Sequence, residues 1–299
     1  MARSVLTAAV LVSAAVVAGL SSVSPTKPAA GSEACAPVDT TMTIVAHQDD
    51  DLLFINPKTY RDIAAERCVT VVFLTAGDAG RPASYWHGRE SGAMAAYASM
   101  AGVEDVWRSS TTVVGGYKIR TRTLEGRDVR LLFMRLPTGS PTGYPTHRYE
   151  CLSKLRSGTI STIHAIDGSA DYTSASLRAT LVDLMTLIHP SVIRTLDYSG
   201  RYRDGDHADH LNTAYYAFEA QEQYTVPHSL AGFRGYPMSR LPANQSGPAA
   251  ARKLRYFLRY APHDPSVCRT AAACRRDTRY WPWFFRTYQV TAPPNLSGL

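Results

Sequence analysis

The sequence predicts an α/β fold: a mostly parallel sheet flanked by helices, with a β-hairpin insertion and an irregular C-terminal section. Three observations predict it. The stretches "TMTIVAH" (41–47), "CVTVVFLTAGDAG" (68–80) and "HPSVIRTLDY" (189–198) read as strands, and the second is a near-continuous apolar run, as a strand covered on both faces must be. A helical pattern, "NPKTYRDIAAER" (56–67), stands between the first two, and strand, helix, strand over so short a span is a right-handed βαβ unit. Charged clusters follow the first and last of these strands, where open α/β sheets gather their chemistry.

The remaining elements follow in order. "HGRESGAMAAYASMAGV" (87–103) reads as a helix whose Ala and Gly residues allow close packing. Residues 106–136 change character: "TTVVGGYKIRTRTL" and "DVRLLFMRL" surround the turn "EGRD" and read as a hairpin at the sheet edge. Helices are expected near 149–157 and 174–188, and "GDHADHLNTAYYAFEAQEQY" (205–224) is a loop running into a helix. Beyond 226 the periodicity degrades until the helix "GPAAARKLRYFLRYA" (247–261). No internal repeat or linker divides the chain, so residues 35–299 read as one domain.

Residues 1–31 read differently. Arg3 precedes the apolar run 5–20, and small polar residues with prolines follow, the layout of a secretory signal peptide. The run is shorter than the roughly 20 residues of a bilayer span, so export as a secreted, extracellular protein is expected rather than stable membrane insertion. Loss of Arg3 and Lys27 with this segment lowers the formal charge from +7 to +5, only moderately basic. "CRRDTRYWPWFFRTYQV" (274–290) interleaves Arg with aromatic rings. Outside a cell that composition fits a sugar-bearing or anionic envelope component better than a nucleic acid, and an ordinary strand with half-buried aromatics fits it equally. Five cysteines in an exported chain suggest disulfides. Cys268 with Cys274 and Cys35 with Cys68 are the expected pairs, with Cys151 a buried free thiol at a helix start.

The chemistry sits in two clusters. "AHQDDD" (46–51) places His47 beside Asp49, Asp50 and Asp51, and adjacent carboxylates that lose hydration at the edge of a core require a cation or several hydrogen bonds. "GDHADH" (205–210) places His207 and His210 three apart, the spacing also held by His47 and Asp50. Helix capping explains either cluster alone. Together at strand ends, two short-spaced sets of N and O donors are what a catalytic zinc site uses, with three protein ligands and one open position. Imidazole with carboxylate argues against calcium or magnesium, which prefer oxygen alone. His87, His147, His164, His189, His228 and His263 have no partner spacing and read as surface or satisfied core residues.

These residues resemble a known family. "AHQDDD" is similar to the A-H-P-D-D-E signature of the LmbE-like, or PIG-L, zinc deacetylases, and "HADH" looks like their later H-P-D-H. "TAGDAG", "RESGAMAAYASMAGV" and "GDHADH" fall in the family's order, with Gln48 standing where Pro is usual and Asp51 where Glu is usual. The resemblance implies a Rossmann-like fold with one zinc ion on His47, Asp50 and His210, and Asp49 as the general base that activates water. It also implies a protonated His207 that stabilises the oxyanion, with Asp209 fixing its orientation. Asp49 or His207 can return a proton to the leaving amine. Arg89 and Asp78 are expected near the rim as substrate-binding residues, although Arg89 at a solvated helix end and Asp78 closing a turn are equally good readings. Some members carry Tyr where Gly205 stands, leaving Tyr198 and Tyr202 as the tyrosines on that loop.

The function the resemblance implies is zinc-dependent removal of an N-acetyl group from an N-acetylglucosamine-containing conjugate. Relatives act on glycolipids, small thiol conjugates, chitooligosaccharides and glycopeptide antibiotics. Export disfavours the thiol conjugates, and the 106–136 insertion and the aromatic C-terminal section favour a cell-envelope or antibiotic-like substrate. The alternatives are a metal-dependent esterase or phosphoesterase on the same fold, and a non-catalytic sugar-binding protein, against which Asp49 weighs because binding alone needs no base.

Overall fold

The computed structural model describes Met1, residues 40–139 and residues 141–291. The expected signal segment and Cys35 lie outside the described residues. In chain order the main elements are β1 (Thr40–Val45), α1 (Lys58–Ala64), β2 (Cys68–Thr75), α2 (Ala83–Ala101), β3 (Trp107–Val114), β4 (Tyr117–Leu124), β5 (Val129–Leu136), α3 (Leu152–Arg156), β6 (Ile163–His164), β7 (Asp171–Tyr172), α4 (Ser174–Ile188), β8 (Val192–Leu196), α5 (Ala208–Gln221), β9 (Ser229–Phe233), α6 (Gly247–Tyr260), α7 (Ala271–Arg276) and α8 (Trp281–Phe284).

Seven strands form one sheet in the order β3-β4-β5-β2-β1-β8-β9. Strands β5, β2, β1, β8 and β9 are mutually parallel; β4 runs antiparallel to both of its neighbours, β5 and β3, and is the one reversed strand of this sheet among the described residues. This is the expected α/β class with two corrections. The 106–136 segment is a three-stranded meander rather than a simple hairpin, turning at Gly115–Gly116 as well as at the "EGRD" turn. Its last strand, β5, pairs with β2 inside the parallel sheet, so only β3 and β4 are additions at the edge. Strand β9 was not expected: "SLAGF" is short, contains glycine and shows no clean period.

Strand periodicity splits the core. In β2, Val69, Val71 and Phe73 face one side with Leu131 and Phe133, against α2, α6 and the C-terminal aromatics. Val72 and Leu74 face the other with Met42, Ile44, Leu132 and Met134, against α4 and α5. The glycines of α2 decide one contact that matters for the site. A Cβ at Gly88 would stand 2.6 Å from the His263 carbonyl, and one at Gly92 would stand 2.9 Å from that of Tyr260. Helix α2 therefore packs tightly on the end of α6, which brings Arg89 to Tyr260.

The cysteines follow the expected scheme where they are described. Cys268 and Cys274 are bonded, and Cys151 is a buried free thiol at the N-cap of α3. Cys68 is disulfide-bonded. Among the described residues no helix is long and apolar enough to cross a membrane.

Candidate metal centre

The two clusters meet beyond the carboxyl ends of β1 and β8. After β1 the chain turns sharply because the Asp50 carboxylate accepts the His47 backbone N–H (2.7 Å). Asp51 then opens a single π-helical turn, Asp51–Ile55. On the other side His207 is the N-cap of α5, its Nδ1 accepting the Asp209 backbone N–H at 3.1 Å, which sets His210 on the first turn. Gln48, in the place usually taken by Pro, is buried and donates to the Thr75 carbonyl (3.0 Å), tying this loop to the end of β2.

His47 Nδ1, Asp50 Oδ1 and His210 Nε2 form a nearly equilateral triangle. The separations are 3.4 Å from His47 to Asp50, 3.0 Å from His210 to Asp50, and 3.2 Å between the two histidines. A tetrahedral ion with donors at about 2.0–2.1 Å holds them about 3.3 Å apart, so the three atoms stand as the face of such a site. The far nitrogens are also occupied. His210 Nδ1 is 2.8 Å from Asp206 Oδ1, and His47 Nε2 is 3.3 Å from Asp209 Oδ2. A carboxylate behind each imidazole fixes the tautomer and turns the remaining lone pair toward the centre, as at metal-ligating histidines generally. Burial opposes a charge on His210, yet Asp50 and Asp206 outweigh it and raise its pKa well above the ordinary value. The donor set thus draws a positive charge to its centre, and it fits a zinc-type ion by atom type and spacing.

His207 stands beside this triangle. His47, His207 and His210 can also hold a metal, since one ring nitrogen from each lies within 4.8 Å of the others. The set with Asp50 is the tighter of the two. The protonated His207 expected from the sequence is not what the structure favours: burial lowers its pKa to about 4 despite Asp209, so the ring is neutral near pH 7. With Nδ1 accepting from the backbone, its Nε2 carries the hydrogen. The Asp209 carboxylate lies 3.7 Å from His207 Nδ1 and 3.3 Å from His47 Nε2, so it orients His47 more directly than His207.

Asp49 faces a small cavity of about 140 Å³ together with His47, Asp50, His207 and Tyr236. Burial raises its pKa, against the opposing charge of Arg89. Arg89, expected at the rim, lines the same cavity with its donors already engaged. Its guanidinium donates to Asp49 (2.5 Å), the Gly77 carbonyl (2.7 Å) and the Tyr260 hydroxyl (2.7 Å), so it holds the Asp49 side chain in place. Gly77 has φ +61°, and a Cβ there would fall 2.4 Å from Arg89 and Gln48. Asp78 is also corrected. It is fully buried and accepts from the Gly80 and Thr138 amides (2.8 and 2.9 Å), with His147 2.9 Å away, so it closes a turn and does not face the cavity.

Asp51, where Glu is usual, is buried away from the donors and accepts from the Tyr97 hydroxyl. Burial pushes its pKa up to about 7. Neither Tyr198 nor Tyr202 reaches the site: Tyr202 donates to Asn212 (2.7 Å), and Tyr198 packs on Phe218. The tyrosine that sequence reasoning missed is Tyr236, whose ring centroid is 4.9 Å from that of His210 and which stacks on Trp283. Of the two readings of 274–290, the ordinary strand is not formed: α7, α8 and a single bridge to β9 deliver Tyr280 and Trp283 to the cavity.

Asp206 is the other residue not singled out from the sequence. Asp206→Asn removes the charge behind His210 while keeping its size, and should weaken zinc binding roughly 10- to 100-fold in a competition titration with a chelator. Unchanged affinity would show that Asp206 is only a loop brace.

Comparison with curated proteins gives no match. Among solved structures the chain is similar to the A40926 pseudoaglycone deacetylase Dbv21, with 14% identity over 74% of this chain and 81% of that one and a TM-score of 0.44. It is also similar to the N,N'-diacetylchitobiose deacetylase from Pyrococcus horikoshii (12%, 82% and 75%, 0.43) and to the 4-carboxy-2-hydroxymuconate hydratase GalB from Pseudomonas putida KT2440 (14%, 75% and 85%, 0.41). The family described as PIG-L, GlcNAc-PI de-N-acetylase, matches residues 42–221, a span that contains both histidine clusters, and the chain belongs to this family.

Proposed function

We propose that the protein is an exported, zinc-dependent hydrolase that removes the N-acetyl group from an N-acetylglucosamine-type conjugate. The observation that carries this reading is the triangle of His47, Asp50 and His210 with Asp49 beside it on the same small cavity. Membership in the family supports the reaction class, and the apolar run 5–20 behind Arg3 supports export.

Bound zinc supplies Lewis acidity toward the amide carbonyl and lets water lose a proton near neutral pH. The chain's own residues do the rest. Asp49, held by Arg89, takes the proton of the attacking water. His207 Nε2–H donates to the oxygen of the carbonyl as charge develops there, as a neutral donor rather than a cation. Collapse of the tetrahedral carbon breaks the C–N bond. Asp49 returns its proton to the leaving nitrogen, giving acetate and a free amine. Asp209 and Asp206 keep the two histidines turned inward throughout.

The test is a panel assay. Zinc-loaded protein is incubated with N-acetylhexosamine glycosides, with O-acetyl sugar esters and with phosphodiesters. Free amine and acetate should appear from the first group. Cleavage confined to the esters or phosphodiesters would transfer the site to the alternative reaction.

A further inference from the structure

A second cavity of about 370 Å³ adjoins the metal centre, sharing Tyr236, Tyr280 and Trp283 with the smaller one. Apart from Gly205, its lining residues lie beyond the span matched by the family. The shared residues form a built aromatic corner: Tyr236 stacks on Trp283 at 4.9 Å, and Tyr280 meets Trp283 edge-on at 5.1 Å. Lys253 anchors that corner. It is buried, and its ammonium donates to the Trp283 carbonyl at 2.8 Å.

The charged groups on this cavity are Arg240 and Arg279. Arg279 is paired with Asp277 at 3.1 Å. The Arg240 side chain is exposed, and among the described residues its guanidinium has no ion-pair or side-chain hydrogen-bond partner. Arg240 also lines a neighbouring cavity with Asp197, Asp204 and Asp206, and each of these carboxylates has a nearer partner of its own: Ser199 for Asp197 (2.6 Å), the Arg201 amide for Asp204 (3.0 Å) and His210 for Asp206 (2.8 Å). Arg240 lies against Gly205, where a Cβ would stand 2.9 Å from its Nη2 and where φ is +92°. Glycine at 205 therefore suits both the loop and the guanidinium beside it.

We propose that this cavity is a subsite for an anionic group carried by the acetylated sugar, with Arg240 as the residue that recognises it. The shared aromatic corner gives the sugar an apolar face to rest on between the two cavities. An unpaired guanidinium in a cleft offers a two-pronged donor to a phosphate or a carboxylate. The inference rests on the de-N-acetylase reading for the identity of the sugar, whereas binding of the anion requires no turnover.

The test is therefore calorimetric binding to the full-length, zinc-loaded protein, with three sugars that have no acetyl group: methyl glucoside, glucose 1-phosphate and methyl glucuronide. One or both anionic sugars should bind roughly tenfold or more tightly than the neutral one, the ratio that one charge-assisted hydrogen bond supplies. The better of the two identifies phosphate or carboxylate as the natural group. Arg240→Ala should bring the preference close to unity, and Arg240→Lys should retain part of it. Equal binding of all three sugars, or a preference that survives in Arg240→Ala, overturns the proposal. A protein that binds the anions in this way but releases no amine in the panel assay keeps the subsite and loses the reaction.

Discussion

His210→Ala protein should be recovered with little zinc, far below one ion per chain, whereas the parent should retain it through dialysis. The expectation follows from the triangle: His210 Nε2 stands 3.0 Å from Asp50 Oδ1 and 3.2 Å from His47 Nδ1, so its removal leaves two donors where a stable site needs three. The loss should exceed the roughly 10- to 100-fold cost of changing a carboxylate behind a ligating histidine. Removing His210 also strips a partner from the buried Asp50 and Asp206, which costs stability for reasons unrelated to metal. Asp50→Asn provides the second reading, since a neutral amide of the same shape is a poor zinc ligand. Both variants should be depleted in elemental analysis of protein whose circular dichroism matches the parent. Full zinc occupancy in both would remove the metal centre from these residues.

Asp49→Asn should behave in the opposite way. Its carboxylate has Arg89 as its hydrogen-bond partner and belongs to none of the three short contacts around the centre. Zinc should stay bound. Turnover should fall about 10²- to 10⁴-fold, the usual contribution of a general base. The asparagine carbonyl can still accept from Arg89, so the loop should hold its geometry. Zinc content and amine release measured side by side on Asp49→Asn and Asp50→Asn separate the two roles. If Asp49→Asn loses zinc and Asp50→Asn keeps it, the roles are exchanged.

Much of this was legible in the sequence because it is local. Strands β1, β2 and β8 announce themselves as apolar runs because both faces of the sheet are covered, and α4 and α6 fall where capping and periodicity put them. His47, Asp50, His207 and His210 are visible because each pair is three residues apart on a strand-to-helix turn. What stayed hidden is long-range. Nothing near Arg89 in sequence tells that Tyr260 and Asp49 will take its donors. The acid in "GDHADH" that braces His210 looks like any loop aspartate until the chain folds, and Tyr236 and Trp283 come from a section with no period at all. The neutral state of His207 depends on burial, which a motif does not encode. Strand β5 reads as half of a hairpin because its turn is local, while its parallel partner β2 lies more than fifty residues earlier.

The measurement that bears most directly on the account is amine release from an N-acetylglucosamine glycoside by one protein sample in three states: as purified, stripped by a chelator, and reloaded with zinc. The account predicts free amine and acetate in equal amounts from the purified and reloaded protein, and none above background from the stripped protein. Undiminished release by stripped protein, or no release by protein shown to hold zinc, would contradict it.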